Sequence, residues 1–297
     1  MALVATLITH QSNPILHISL VKQIRQAVNS PMFYWLSESI ACDILLPLGG
    51  NSDLYRHTIL SIIADKPIDL VIHKTENRRK NLLIADMDST MIQQECIDEL
   101  ADTIGIKEKM SYITSQAMNG EISFEDSLRE RVFLLKGISL QVIDSIVHKS
   151  ITYHPGGYEL VNTMKKNGAF TILVSSGFTV FARVISQKLG FNRYYANILM
   201  KKNQKLLGKV QEPILDGIKK ATILLETTKI LDINPEDVIA VGDGNNDLDM
   251  IKIAGYGVAF HAKSIVAQNS KVRINHSNLE SLLYIQGYKQ SEFIKYA

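Results

Sequence analysis

Short apolar runs alternate with stretches of helical periodicity along the chain, and the pattern changes character near residue 75. Before that point residues 3–9 read as a strand and 17–28 as a helix, with Ile15, Leu20, Ile24 and Val28 at helical spacing. Strands follow at 32–37 and 41–47, then a helix at 52–64 and a strand at 68–73. This βαββαβ order predicts a small α+β domain over residues 1–75.

The stretch from Lys74 to Lys80 holds no apolar residue and marks the predicted boundary. Its basic run Asn77-Arg78-Arg79-Lys80, like Lys201 to Lys205 further on, reads as solvated linker or turn. From 76 to 297 the strands become continuous apolar runs, Leu82–Ala85, Phe170–Val174 and Val238–Val241, as expected of strands buried on both faces of a parallel sheet. Between them lie helical segments. Helix 214–230 would carry Ile214, Ile218, Ala221 and Leu225 on one face, with Pro213 where a first turn tolerates it. The fold class expected is α/β, a doubly wound, Rossmann-like parallel sheet beside the small α+β domain. Residues 92–150 are too long for a plain crossover, and Asp98–Ile104, Met110–Ala117 and Phe124–Leu135 are each periodic, so a helical cap inserted over the sheet is predicted.

Composition removes several function classes. Basic and acidic side chains number 32 and 30, a net charge of +2, which gives no support for a nucleic-acid or anionic-membrane role, since either would need a concentrated basic face. No run approaches the ~18 apolar residues of a membrane span, and the start Met1-Ala2-Leu3-Val4-Ala5 lacks the basic region of a signal peptide. Cys42 and Cys96 match no metal-ligand spacing and read as buried thiols in a reducing compartment, so a cytoplasmic location is expected.

Chemistry concentrates where the apolar runs end. Asp86 and Asp88 follow Leu82–Ala85, and if the chain turns there the two carboxylates can converge on one space. Ser175-Ser176-Gly177 follows the second run. After the third comes Gly242-Asp243-Gly244-Asn245-Asn246-Asp247, whose acids and amides suit a hard cation with oxygen ligands. Lys220 lies in helix 214–230, although periodicity does not choose between it and Lys219.

In this order the segments Asp86-Met87-Asp88-Ser89-Thr90, Ser175, Lys220 and Gly242–Asp247 resemble the haloacid dehalogenase superfamily. The resemblance spans residues 82 to about 287. Glu95–Ala101, Ala117–Glu121, Ser127–Val132 and Ala196–Leu199 match its phosphoserine-hydrolysing branch. It implies phosphoserine as the small-molecule substrate, an aspartyl-phosphate intermediate and the last step of serine biosynthesis. A phosphotransferase, or a phosphatase for another small phosphorylated metabolite, is the alternative. Asp86 would be nucleophile and Asp88 general acid and base; Mg2+ would be held by Asp86, Asp243 and the backbone carbonyl of Asp88. Lys220, Ser175, Ser176 and Gly177 would hold the phosphoryl group, and Asn246 and Asp247 would orient substrate and metal waters. Glu95, Met118, Phe124 and Arg131 would hold the serine portion. The amino-terminal domain is similar in element order to ACT-type ligand-binding domains, which implies a regulatory unit, and a homodimer is the assembly expected.

One feature of the cap follows from the residues alone. Ser123 can cap a helix with Asp126 three residues on. From there Phe124, Leu128, Arg131 and Leu135 recur at helical spacing, and at ~100° per residue Arg131 falls about 20° from Phe124 while Arg129 falls off the stripe. An arginine in an apolar stripe is a snorkelling stem or an anion binder. Three positions depart from the family pattern. Ser176 stands for a usual glycine, Asn245 for alanine and Met87 for phenylalanine.

Overall fold

A computed structural model describes residues 2–296, apart from the side chain of Met118. The amino-terminal part comprises β1 (Leu3–Thr9), α1 (Ile18–Ala27), β2 (Phe33–Ser37), β3 (Ala41–Leu46), α2 (Ser52–Ile63) and β4 (Ile68–Lys74). Its four strands form an antiparallel sheet in the order β2-β3-β1-β4. Ala5 and Leu7 point to one side of β1 and pack with Val21, Ile24, Ile59 and Ile63 of the two helices. Ile8, on the other side, belongs to the core of the rest of the chain. An antiparallel sheet usually keeps one face in water. Here both are covered, which is why Leu3–Thr9 is apolar almost throughout.

The segment after β4 is not the solvated linker its charges suggest. Arg78 donates to Asp43 at 2.6 Å and to the carbonyls of Tyr284 and Ile285. Lys80 is buried, with its ammonium on the carbonyls of Asn77 and Glu236 and over the Tyr256 ring. Basic side chains that find carbonyl, carboxylate and aromatic partners can leave water; Arg78 clamps the amino-terminal sheet to the core, and Lys80 holds the segment itself there.

The core elements are β5 (Leu82–Ala85), α3 (Cys96–Thr103), α4 (Lys107–Met118), α5 (Phe124–Leu134), α6 (Leu140–Lys149), α7 (Gly157–Lys166), β6 (Phe170–Phe178), α8 (Thr179–Leu189), β7 (Arg193–Asn197), β8 (Leu199–Lys202), β9 (Lys205–Val210), α9 (Gly217–Leu231), β10 (Val238–Gly242), α10 (Leu248–Ile253), β11 (Tyr256–Phe260), α11 (Ser264–Asn269), β12 (Val272–Ile274) and α12 (Ser281–Ile285). Six strands form a parallel sheet in the order β12-β11-β10-β5-β6-β7. From β5 the chain goes to β6 and β7 on one side, then to β10, β11 and β12 on the other. The sheet therefore reverses direction between β5 and β10, the position at which doubly wound sheets bind ligands.

Helices α3 to α6 lie between β5 and β6 in sequence. The polar hairpin β8–β9 joins them: Gly137 donates to Leu206, and Leu206 to Ile138. Its turn is made by Asn203 and Gln204, both at positive φ, so the Lys201–Lys205 run is indeed an exposed turn.

Two sequence expectations change. Strand β6 runs beyond Val174 to Phe178, with its pairing to β7 interrupted between those residues. The helix expected at 214–230 starts at Gly217, because Asp216 accepts the Lys219 N–H as its cap, and Pro213 lies outside it. The expected face is also wrong. Ile218 and Leu225 are exposed, and Lys220, Ala221, Ile223, Leu224, Thr227 and Thr228 point inward. An ion-paired lysine shares the inward face with Ala221, Ile223 and Leu224, the last two packed in the core.

Candidate active site

Parallel pairing brings the ends of β5, β6 and β10 level, with Ala85 opposite Leu173 on one side and Val241 on the other. The next residues are therefore neighbours. Asp86 continues the pairing by donating its N–H to the Val241 carbonyl. Asp86, Asp243 and Asp247 are all buried, and each places a carboxylate oxygen within 4.8 Å of the others'.

Lys220 supplies the positive charge the chain itself provides. Its ammonium, fully buried, donates to Asp86 Oδ1 at 2.5 Å and to Asp247 Oδ1 at 2.7 Å. Burial disfavours its charge, but the Asp247 and Asp86 carboxylates overrule that and hold its pKa above the usual lysine value. Asp86 moves the other way. Burial first and the Asp247 charge second push it well above an ordinary carboxylate, and Lys220 offsets only part of this. Asp243 is pushed up to about 6 by burial and by Asp247, although Thr90 donates to its Oδ1 at 3.2 Å.

Asp88 faces a different set of groups. Its Oδ1 accepts the Cys96 N–H at 2.8 Å, and its Oδ2 accepts the Ser175 hydroxyl at 3.0 Å. Burial raises its pKa as well, against these hydrogen bonds. Gly177 closes the same corner, where a Cβ would lie 2.8 Å from Asp88 Oδ2 and 2.9 Å from Ser175 Oγ, so any larger residue must displace these side chains. Ser176 carries no left-handed backbone, so serine is unstrained there; its hydroxyl accepts from Asn246 Nδ2 at 3.4 Å. Asn245 is exposed, and Met87 is buried in the core.

On the cap side, Ser123 caps α5 by accepting the Asp126 N–H. Arg129 turns outward to Asp126 and Glu212. Arg131 is half-buried, donates Nε to the Ser127 carbonyl, and among the described residues makes no ion pair. Burial lowers its pKa, against the attraction of Asp98 and Glu95. Glu95 is reached by water and accepts the Ser89 hydroxyl at 2.8 Å, yet the protein packed around it, then the Asp88 charge, push it up to about 7. Phe124 is half-buried against the core. The Met118 side chain lies outside the described residues.

Comparison with known proteins settles the family. The pattern of the haloacid dehalogenase-like hydrolases matches residues 83–252. The chain belongs to that family. It is 44% identical over 220 residues to a probable phosphoserine phosphatase of Schizosaccharomyces pombe, covering 73% of this chain and 74% of that one. Among solved structures it is similar to a haloacid dehalogenase family hydrolase of Salmonella enterica serovar Typhi, with TM-score 0.85 and 27% identity over 96% of this chain and 98% of that one. It is also similar to a phospho-aspartyl intermediate analogue of phosphoserine phosphatase, with TM-score 0.64 and 38% identity over 69% of this chain and 98% of that one.

Haloacid dehalogenase-like hydrolases typically use a divalent metal, and the residues here fit one. Three buried carboxylates cluster there and Lys220 donates to two of them, while burial first and the Asp247 charge second raise the pKa of Asp86 and of Asp243, a crowding of anions that a divalent cation would relieve. Asp247, expected to act from behind the ligands, stands in the carboxylate cluster itself.

Sequence reasoning gave no role to several groups the fold brings in. Thr90 holds Asp243, and Ser89, at φ 56°, holds Glu95. Asn197 ties the Ser176 carbonyl to both backbone groups of Leu215, fixing the Ser175 loop against the approach to α9. Its segment, Ala196–Leu199, carried family resemblance but no chemistry visible in one sequence.

Proposed function

We propose that this chain hydrolyses O-phosphoserine to serine and phosphate through an aspartyl-phosphate on Asp86, with Mg2+ as the metal. The observation that carries the reading is the placement of Asp86, buried at the sheet's reversal point between Lys220 and Asp243, with the Asp88–Ser175 pair beside it. The similarity to phosphoserine phosphatases supports the substrate.

Lys220 occupies Asp86 Oδ1, which leaves Oδ2 to attack phosphorus. As the bond to the serine oxygen breaks, Asp88 delivers its proton to that oxygen; its raised pKa suits it to carry one. Asp88 then takes a proton from the water that cleaves the acyl-phosphate and releases phosphate. Ser175 and the following amides hold phosphoryl oxygens, and Lys220 balances the charge on them. Asp86, Asp243 and the Asp88 carbonyl would hold Mg2+, whose charge lets two anions approach each other. Asn246 and Asp247 orient the substrate and metal waters. Arg131, without an acid partner among the described residues, takes the substrate carboxylate, and Glu95 takes the ammonium, with Met118 and Phe124 as walls. The buried free thiols Cys42 and Cys96 support a reducing, cytoplasmic setting.

The test is phosphate release from phosphoserine, phosphothreonine and an aryl phosphate, with and without Mg2+, for the wild type and Asp86→Asn. Preference for phosphoserine and loss of turnover in the folded variant are expected. Near wild-type turnover in the folded Asp86→Asn variant would refute the scheme.

A further inference from the structure

Strand β6 parts from its neighbour at the site. Val174 pairs with Tyr195 and Phe178 with Asn197, so the stretch from Ser175 to Gly177 stands opposite Ala196 alone. Extra residues in one strand of a pair re-aim side chains and leave backbone groups in need of other partners. Asn197, buried at the end of β7, supplies one of these partners: its Nδ2 donates to the Ser176 carbonyl at 2.8 Å.

The orientation of this carboxamide is fixed by its surroundings. Its Nδ2 also donates to the Leu215 carbonyl at 3.1 Å, and its Oδ1 accepts the Leu215 N–H at 2.7 Å. Turned over, the group would set its oxygen against two carbonyls and its NH2 against an N–H. Leu215 is a firm anchor, because Gly217 lies so close to Asn246 that a Cβ there would stand 2.8 Å from the Asn246 carbonyl oxygen.

The Ser176 carbonyl and the Gly177 N–H belong to one planar peptide group and point in opposite directions. That N–H donates to Ser175 Oγ at 2.8 Å, and the Ser175 hydroxyl donates to Asp88 Oδ2 at 3.0 Å. Three hydrogen bonds therefore run in one sense, from the Asn197 carboxamide through the peptide and the hydroxyl to the Asp88 carboxylate. Bonds in such a chain polarise one another, and each donor is directed by the one before it.

We propose that Asn197 is a positioning residue for phosphoryl transfer: by holding the Ser176–Gly177 peptide it aims the Ser175 hydroxyl at Asp88 and the reacting phosphoryl group. The inference rests on the reaction proposed above. Among the described residues the Asn197 side chain bonds only to Ser176 and Leu215, so it acts on the reacting groups through Ser175 or through α9. Action through Ser175 requires its effect to vanish when that hydroxyl is removed; action through α9 does not.

The experiment is a double-mutant cycle in kcat/KM for phosphoserine with Mg2+, on wild type, Asn197→Ala, Ser175→Ala and the double variant, with near-ultraviolet circular dichroism confirming that each is folded. Asn197→Ala should lower kcat/KM by ~10-fold, the scale of one ordinary hydrogen bond. In the Ser175→Ala background the same substitution should cost less than about twofold, because the hydroxyl it aims is gone. Equal losses in the two backgrounds, or no loss in the first, would overturn the role. Asn197→Asp keeps the shape and the bond from Leu215 but offers the carbonyls no N–H, and it repeats the cycle if the alanine variant does not fold. A wild-type chain without phosphoserine turnover would overturn the reaction and this inference with it, a result distinct from equal losses in an active enzyme.

Discussion

The Lys220 ammonium donates to Asp86 at 2.5 Å although the lysine side chain has no exposure and the aspartate only 7%. With Asp247 at 2.7 Å on its other side, one cation sits between two carboxylates. Such a group is held by the pairing, and removing the cation leaves buried anions that must protonate or recruit another charge. Lys220→Met should lower stability by about 3–5 kcal/mol in urea denaturation with chelator present. Divalent metal should restore part of the loss, because the same carboxylates would hold it. A variant as stable as wild type without metal would show that the pair does not carry the charge balance inferred here.

Gly177 allows a sharper test of the corner that positions Asp88. An added methyl would press on Asp88 Oδ2 and Ser175 Oγ together. Gly177→Ala should therefore lower kcat by ~100-fold, as small misplacements of reacting groups do. The fold should lose only about 1–3 kcal/mol, the usual cost of overpacking. Comparing kcat with the melting midpoint separates the two effects, and an unchanged kcat would mean the corner yields freely.

How much of this was legible in the sequence depends on what each residue answers to. Strands β5 and β10 could be read because a strand buried on both faces must be apolar along its length. Asp86, Ser175 and Asp243 were readable for the same reason, as the first polar residues after such runs. The rotation of α9 was not. Beside Ile223 and Leu224 its inward face carries a buried lysine that meets acids 134 and 27 residues away, and hydrophobic periodicity carries no record of that. The edge strand Arg193–Asn197 and the polar hairpin β8–β9 also escaped, since their pattern is that of surface loops. Asp69 looked like an ordinary strand residue.

In the structure Asp69 is the anion held in a nest of donors. Its buried carboxylate accepts the N–H groups of Asn275 at 2.7 Å and Ser277 at 2.9 Å, and the Ser277 hydroxyl at 2.5 Å. These bonds fasten β4 to the segment after β12. Asp69→Ala leaves the Asn275 and Ser277 N–H groups unpaired, while the Ser277 hydroxyl keeps the Ser281 hydroxyl, and a loss of about 2–6 kcal/mol is expected, from roughly 1–3 for each N–H left unsatisfied. Proteolysis and hydrogen exchange should localise the loosening to the junction of the amino-terminal sheet with the core. Uniform loss across the chain would contradict that.

Arg131 separates recognition of the amino acid from the chemistry of the phosphoryl group. Among the described residues its guanidinium pairs with no carboxylate, and burial lowers its pKa. Arg131→Ala should reduce kcat/KM for phosphoserine by ~30–100-fold, the scale of a charge-assisted contact, and an aryl phosphate far less. Equal losses on both substrates would remove it from the carboxylate-binding role.

Glu280 gives the chain a stability that depends on pH, independent of catalysis. Its carboxyl is pushed up to about 7 by burial first and the Glu159 charge second, against the pull of Lys295. Glu280 lines a surface cavity together with His154, Lys188 and Tyr296. Because the folded pKa is raised above the unfolded value, the folded chain binds a proton that the unfolded chain lacks between about pH 4.5 and 7. This contribution is complete below that window and is lost as pH rises through 7, amounting to about 3 kcal/mol at most. Glu280→Gln stays neutral throughout, so its stability relative to wild type should rise between pH 5 and pH 8. Urea midpoints of the two chains at both pH values, with chelator present, measure the difference, and parallel profiles would show that the carboxyl finds a partner on ionising.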